Sequence, residues 1–369
     1  MKNNHLSGLS ILITGGSGSW GNELVTQLLK NHQPKEIKIY SRGEHKQVEM
    51  KRKFQNSRLQ FIIGDVRDKN KMRLSMEGVD LVFHLAALKH VPICEENPWE
   101  TVQTNVIGIQ NVIEAAIENG VQKVVDISTD KAVDPFNLYG VTKASGEKLM
   151  IAANQYSQHT QFVCIRGGNV LGTNGSVVPL FKEQIKVLNE LTLTDPRMTR
   201  FMMRVEDAIK LVLHATAHAV GGEVFVMKTP SCRIPELAAV LIKRLGNQDT
   251  KVKTIGIRPG EKLSEVLVSR YEMPRTLEDD EYFIILPQIH LSRTEDHYAK
   301  HRGLKFKHPE FNSDNTHIMK PQELEALLDV DGWLDDNEKQ QALQYLSTLS
   351  KSDLENYFQT EGWGTTKGD

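Results

Sequence analysis

From Leu9 to Arg166 one pattern recurs, and it narrows the folds open to the chain more than any other feature. A short β-branched apolar run is followed by a polar turn and then by a segment with helical periodicity. The runs fall at 9–14, 36–41, 59–64, 80–85, 123–127 and 161–166. Runs this continuously apolar are strands buried on both faces, and strands that alternate with helices build a parallel sheet. The predicted fold is α/β, a doubly wound parallel sheet with ligands at the carboxyl ends of its strands. After Gly168 the alternation loosens into helices at 178–189, 205–218 and 234–245 and a returning strand at 223–227. The predicted division is a first domain at 8–168 with returning segments at about 205–227, and a smaller, interleaved lobe at 169–290. A C-terminal extension at 291–369 follows, with a helix signal from Pro321, and residues 277–281 read as an acidic loop.

The first strand breaks into Gly15-Gly16-Ser17-Gly18-Ser19-Trp20-Gly21 and a helical segment follows. Glycines three apart at this place suit a tight turn, close approach of backbone to a pyrophosphate, and a helix N-terminus facing the anion. This predicts a Rossmann-like dinucleotide site. The second strand ends in Ser41-Arg42-Gly43-Glu44-His45-Lys46, where NAD sites carry an acidic residue for the ribose hydroxyls. Arg42 and Lys46 suit a 2′-phosphate, so NADP is preferred over NAD. Without a ligand the same cations would simply solvate a helix face. Asp65 and Val66 close the third strand, and Ala86 and Ala87 close the fourth, where small residues let the backbone run along a cofactor. Lys89 then points into the cleft.

The fifth strand leads into Ser128-Thr129-Asp130-Lys131, and a helix opens at Tyr139-Gly-Val-Thr-Lys143. Tyr139 and Lys143 share one helix face, a turn apart. A tyrosine of ordinary pKa, about 10, is only ~0.1% phenolate at pH 7, and a nearby lysine and a nicotinamide cation both lower that pKa. Tyr139 is therefore expected to accept the proton of a substrate hydroxyl as hydride leaves its carbon, with Thr129 bonded to the same hydroxyl. Asp130 and Lys131 are surplus to a simple oxidation. Two ionisable groups beside an oxidised carbon fit an elimination, one as base and one as acid. As plain structure, they are a loop aspartate and a surface lysine.

A net charge of -2 leaves no basic footprint for nucleic acid. Cys94, Cys164 and Cys232 are far apart and read as buried thiols in a reducing compartment, so no metal site is expected. The first eight residues lack a signal-peptide core, and no apolar run reaches the ~18–20 residues of a membrane span. A cytoplasmic protein with no membrane partner is expected.

The chain resembles the extended short-chain dehydrogenase/reductase superfamily. Within it, the likeness is to soluble UDP-N-acetylglucosamine 4,6-dehydratases of the C5-inverting type, which serve bacterial polysaccharide biosynthesis. It spans about residues 8–290 and rests on the glycine turn, Ala86-Ala-Leu-Lys-His-Val91, Ser128-Thr-Asp-Lys131 and Asn137-Leu-Tyr-Gly-Val-Thr-Lys143. Further on it includes Gly168-Asn-Val-Leu-Gly172, Gly175-Ser-Val-Val-Pro179, Thr194-Asp-Pro-Arg-Met-Thr-Arg-Phe201 and Gly256-Ile-Arg-Pro-Gly-Glu-Lys262. The resemblance implies a lyase whose catalytic set is Thr129, Asp130, Lys131, Tyr139 and Lys143. In it Tyr139 assists oxidation at C4, Lys131 is the base at C5 and Asp130 the acid at C6. Retaining dehydratases usually carry Asp-Glu where this chain has Asp130-Lys131, so the lysine argues for C5 inversion.

The implied cofactor contacts are Gly15, Ser17, Gly18, Trp20, Gly21, Ser41, Arg42, Lys46, Asp65, Val66, Ala86, Ala87 and Lys89, together with Tyr139 and Lys143. The implied UDP-sugar contacts are Lys89, Asn169, Val177, Thr194, Arg258 and Glu261. A homo-oligomer, dimer or hexamer, is expected from the likeness. Gly43 departs from the acidic residue relatives often carry, and the tail past 291 is longer than theirs. A UDP-sugar 4-epimerase, which has no use for Asp130 and Lys131, stays open as an alternative, as do a C5-retaining dehydratase and a non-catalytic nucleotide-binding protein.

Overall fold

A computed structural model describes residues 5–172, 176–257, 260–301 and 305–334. Its main sheet begins with β1 (Ser10–Thr14), β2 (Glu36–Ser41), β3 (Leu59–Ile63), β4 (Leu81–His84), β5 (Lys123–Thr129) and β6 (Gln161–Gly167). The strand Val224–Met227 runs parallel to β6, and Tyr282–Ile285 and Thr276–Glu278 continue the sheet antiparallel. Across the nine strands the order is 276–278, 282–285, 224–227, β6, β5, β4, β1, β2, β3. The chain winds outward from β1 in one direction through β2 and β3, and in the other through β4, β5 and β6. That reversal opens a crevice beyond the ends of β1 and β4.

The elements follow from their apolar spacing. β1 is buried at every position, and the helix Ser19–Asn31 turns Gly21, Leu24, Val25 and Leu28 to the sheet. Leu138–Ala153 starts at Asn137, whose Oδ1 accepts the Gly140 amide at 2.8 Å. No helix among the described residues is long and apolar enough to cross a membrane.

Two compact units result, the first comprising Met1–Gly168, Arg204–Lys228 and Val266–Phe311. The second comprises Asn169–Met203, Thr229–Glu265 and Asn312–Asp369. It contains a three-stranded sheet, a parallel pair formed by Glu190–Leu193 and Lys251–Thr254, and the helices Val177–Leu188, Ile234–Leu245 and Pro321–Val330. Phe181, Ile185, Leu237, Leu241, Leu324 and Leu328 form its core.

Three details differ from the sequence reading. The division at 169–290 gives way because Tyr282–Ile285 pairs with Val224–Met227, which draws 266–311 into the first unit. The tail past 291 is likewise shared: Tyr298 is buried in the first core, and Leu324 and Leu328 in the second. The predicted acidic loop at 277–281 begins as the edge strand Thr276–Glu278, with Glu278 paired to Lys228 at 2.6 Å. Between β4 and β5 the helical stretch carries a π-helical turn at Gln103–Ile107.

Candidate active site

The end of β5, the short turn Asp130–Ala132 and the first turns of Leu138–Ala153 bring all five predicted catalytic residues together. The helix can approach the turn because residue 140 is glycine; a Cβ there would lie 2.2 Å from the Lys131 carbonyl oxygen. Thr129 Oγ1 donates to Asp130 Oδ1 at 2.8 Å, and Lys131 Nζ lies 3.1 Å from the same oxygen. Asp130 is 1% exposed, and its Oδ2 has no hydrogen-bond partner among the described residues. A buried carboxylate oxygen without a partner is costly, so it marks a place where a ligand hydroxyl fits.

Lys143 is buried, with Nζ 3.3 Å from Asp126 Oδ2 and 3.4 Å from Oδ1. Burial raises the Tyr139 hydroxyl above its ordinary pKa. The charges of Lys143 and Lys131 and a hydrogen bond with Thr129 oppose that rise without cancelling it. The lowered tyrosine pKa expected from a lysine neighbour is therefore absent from the protein alone. The positive charge of a bound nicotinamide acts in the missing direction.

The glycine turn forms a cradle that side chains would fill. Gly15 has φ +66°, and a Cβ on it would lie 2.9 Å from the Ala86 backbone; one on Gly21 would lie 2.1 Å from the Gly16 carbonyl oxygen. The helix behind the turn carries no acidic residue in its first turn, which leaves its N-terminal amides suited to an anion. Ser17 Oγ donates to Ser41 Oγ at 2.9 Å, Trp20 packs against the core, and the Gly18 amide bonds the Gly15 carbonyl. Enclosure lowers the Lys89 ammonium pKa, and Lys131 and Lys46 add to the effect.

Arg42 is about half exposed and 3.8 Å from Asp65, whose carboxylate Arg67 also holds at 2.7 Å. Burial works to raise the Asp65 carboxyl, but these bonds and charges keep it below the usual carboxylate range. The Asp65 side chain is thus occupied by arginines, and Val66 is buried with its carbonyl bonded by Asn111. Ala86 and Ala87 follow β4 as expected. Asn169, Val177, Thr194 and Glu261 belong to the second unit, where Asn169 Oδ1 is buried without a hydrogen-bond partner among the described residues. Arg258 lies outside the described residues.

The sequence reading passed over four groups. Asn105, in the π-helical turn, bonds both the amide and the carbonyl of Leu88 at 2.8 Å and the Thr142 hydroxyl at 3.1 Å, tying the segment after β4 to the helix that bears Tyr139 and Lys143. Asp126 lies under Lys143. Glu147, on the same helix, accepts from Ser128 and binds Arg166, which also binds Glu272. A charge within each of the apolar runs 123–127 and 161–166 was the available signal, while nothing in the sequence announces Asn105.

A nucleotide-binding doubly wound sheet with a strand-end threonine beside a helix-borne Tyr-x-x-x-Lys defines a short-chain dehydrogenase/reductase. Residues 11–287 match the family described as polysaccharide biosynthesis protein, and the chain belongs to that family. Among its relatives is a UDP-N-acetylglucosamine 4,6-dehydratase (inverting) of Campylobacter jejuni, 45% identical over 84% of this chain and 93% of that one. A UDP-glucose 4-epimerase of Rickettsia canadensis is 43% identical over 86% of this chain and 95% of its own. The X-ray structure of Pen from Bacillus thuringiensis superposes with a TM-score of 0.81 at 36% identity, covering 88% of this chain and 99% of that one.

Proposed function

We propose that the protein is an NADP-dependent UDP-N-acetylglucosamine 4,6-dehydratase that inverts C5. The observation that carries this reading is the Asp130–Lys131 pair beside Thr129 and Tyr139. An ion pair of this kind holds one proton between two groups; with that proton on the carboxyl, the pair is an acid next to a base.

Thr129 and Tyr139 bind the C4 hydroxyl, and Tyr139 Oη takes its proton as C4 is oxidised to a ketone. The ketone acidifies the C5 hydrogen, which Lys131 Nζ removes. Asp130 protonates the C6 oxygen, and the C6–O bond breaks with loss of water. NADP held at the glycine cradle of Gly15, Gly18 and Gly21 would supply the hydride chemistry, taking hydride from C4 and returning it to C6. Solvent returns a proton to C5 on the opposite face, so the product is a 4-keto-6-deoxy sugar with no net redox change. Each positioned acid or base contributes about 10²–10⁴-fold. The glycine cradle fits a dinucleotide pyrophosphate, and the exposed Arg42 and Lys46 support NADP over NAD. Lys89, Asn169, Val177, Thr194, Arg258 and Glu261 are proposed as the UDP-sugar contacts, in a homo-oligomeric protein.

The epimerase relatives favour a second reading, a UDP-sugar 4-epimerase using Thr129, Tyr139 and Lys143 alone. Mass spectrometry after incubation with NADP and UDP-N-acetylglucosamine separates the two. Loss of one water supports the dehydratase; a C4 epimer of unchanged mass supports the epimerase and removes the role given to Lys131.

A further inference from the structure

Four neighbouring strands place Thr14, His84, Asp126 and Cys164 side by side in register, across β1, β4, β5 and β6. All four are buried. Thr14 Oγ1 and His84 Nδ1 are 2.7 Å apart, while His84 Nε2 has no hydrogen-bond partner among the described residues. A polar row through the middle of an apolar sheet is costly unless it is matched by partners. Its acidic member is Asp126, whose two oxygens face Lys143 Nζ at 3.3 and 3.4 Å; burial raises this carboxyl above its ordinary pKa, and the Lys143 charge and hydrogen bond oppose the rise.

We infer that Asp126 is a positioning residue for the tyrosine–lysine pair: its carboxylate is the buried counter-ion that holds the Lys143 ammonium in place and keeps it charged through the working pH range. The inference rests on the assignment of Tyr139 and Lys143 to catalysis. A fully buried ammonium tends to shed its proton, and an opposite charge within ~4–6 Å reverses that tendency by about 1–3 pH units. Burial indeed acts to lower the Lys143 pKa, and Asp126 and Tyr139 outweigh it.

The other groups around Asp126 do not replace it. His84, facing from β4, is held neutral by burial and by Lys143, its pKa lowered to about 3. Cys164, facing from β6, is kept a thiol by burial and by the Asp126 and Glu147 charges. Asp126 is thus the nearest anion to Lys143 in this row.

The test is a lysine side-chain titration of the full-length protein carrying [13Cε]lysine, with the Lys143 signal assigned by its loss in Lys143→Met. In Asp126→Asn, of nearly the same shape, Lys143 is expected to titrate lower by about one pH unit or more. The alkaline limb of the dehydration rate should move down with it, and Asp126→Glu should restore both toward wild type. A Lys143 signal that titrates unchanged in folded Asp126→Asn overturns the inference. If that variant does not fold, Asp126→Glu decides: titration near the wild-type pH supports the counter-ion, and a fall of one unit or more refutes it. The titration reads Lys143 without turnover, so it stands apart from whether the protein dehydrates a UDP-sugar.

Discussion

Lys131 Nζ lies 3.1 Å from Asp130 Oδ1, while the other oxygen of that carboxylate is buried without a hydrogen-bond partner among the described residues. The two groups are adjacent in sequence and share a 3₁₀ turn, yet one is sealed in protein and the other reaches solvent. Removing either should stop elimination while sparing the cofactor site. Lys131→Ala is expected to lower the rate of water loss by at least about 10²-fold with little change in NADP affinity, measured by product assay and by cofactor titration.

Tyr139→Phe removes the proposed proton acceptor but keeps the ring. Oxidation at C4 should fall by about 10²–10⁴-fold, and no reduced cofactor should appear in a single turnover. Because burial raises the tyrosine pKa in the protein alone, wild-type activity should climb with pH on the alkaline side of neutrality. A rate that is flat from neutral to mildly alkaline pH would remove the tyrosine from the rate-limiting proton transfer.

Arg166 bridges Glu147, on the helix that bears Tyr139 and Lys143, and Glu272, at 2.7 and 2.8 Å. Arg166→Met leaves the buried Glu147 and the partly buried Glu272 uncompensated and should cost about 3–5 kcal/mol in denaturant unfolding. Burial tends to raise the Glu272 carboxyl, but Arg166 and Ser269 push it down to about 2 from 4.5. A depressed folded pKa means a contribution present above pH 4.5 and lost as pH falls toward 2. Glu272→Gln should therefore flatten the acid limb of the stability profile.

Trp333 packs over Gly172, where a Cβ would meet the indole at 1.8 Å, and Lys182 Nζ lies 5.3 Å from its ring centroid. Trp333→Ala should destabilise the second unit by about 2 kcal/mol. Gly172 closes the segment that starts beside Asn169, so the KM for the UDP-sugar should rise while NADP affinity holds. An unchanged KM would leave Trp333 as packing alone.

Arg42 tests the cofactor choice. If it binds a 2′-phosphate, Arg42→Ala should weaken NADP by about tenfold, roughly 1.4 kcal/mol, and leave NAD nearly unaffected in a binding titration. Equal losses for both dinucleotides would assign Arg42 to its neighbour Asp65 instead.

The sheet was legible because its strands are apolar throughout and its turns are rich in glycine. The grouping of Thr129, Asp130, Lys131, Tyr139 and Lys143 was legible because they fall within fifteen residues of one strand end and one helix face. The division into units was less so, since the pairing of 282–285 with 224–227 joins segments far apart in sequence, with no local pattern to announce it. Asp126 shows a further limit: a charge in a buried strand signals a partner, but only the folded chain identifies that partner as Lys143. Asn105 depends on a π-helical turn that periodicity reads as ordinary helix.

The most direct test of the central claim is incubation of the full-length protein with NADP and UDP-N-acetylglucosamine in heavy water, followed by NMR and mass analysis of the sugar. A product that has lost one water, with a single deuterium at an inverted C5, and no such product from Lys131→Ala, is the predicted result. A sugar of unchanged composition epimerised at C4, or deuterium uptake that persists in Lys131→Ala, would contradict it.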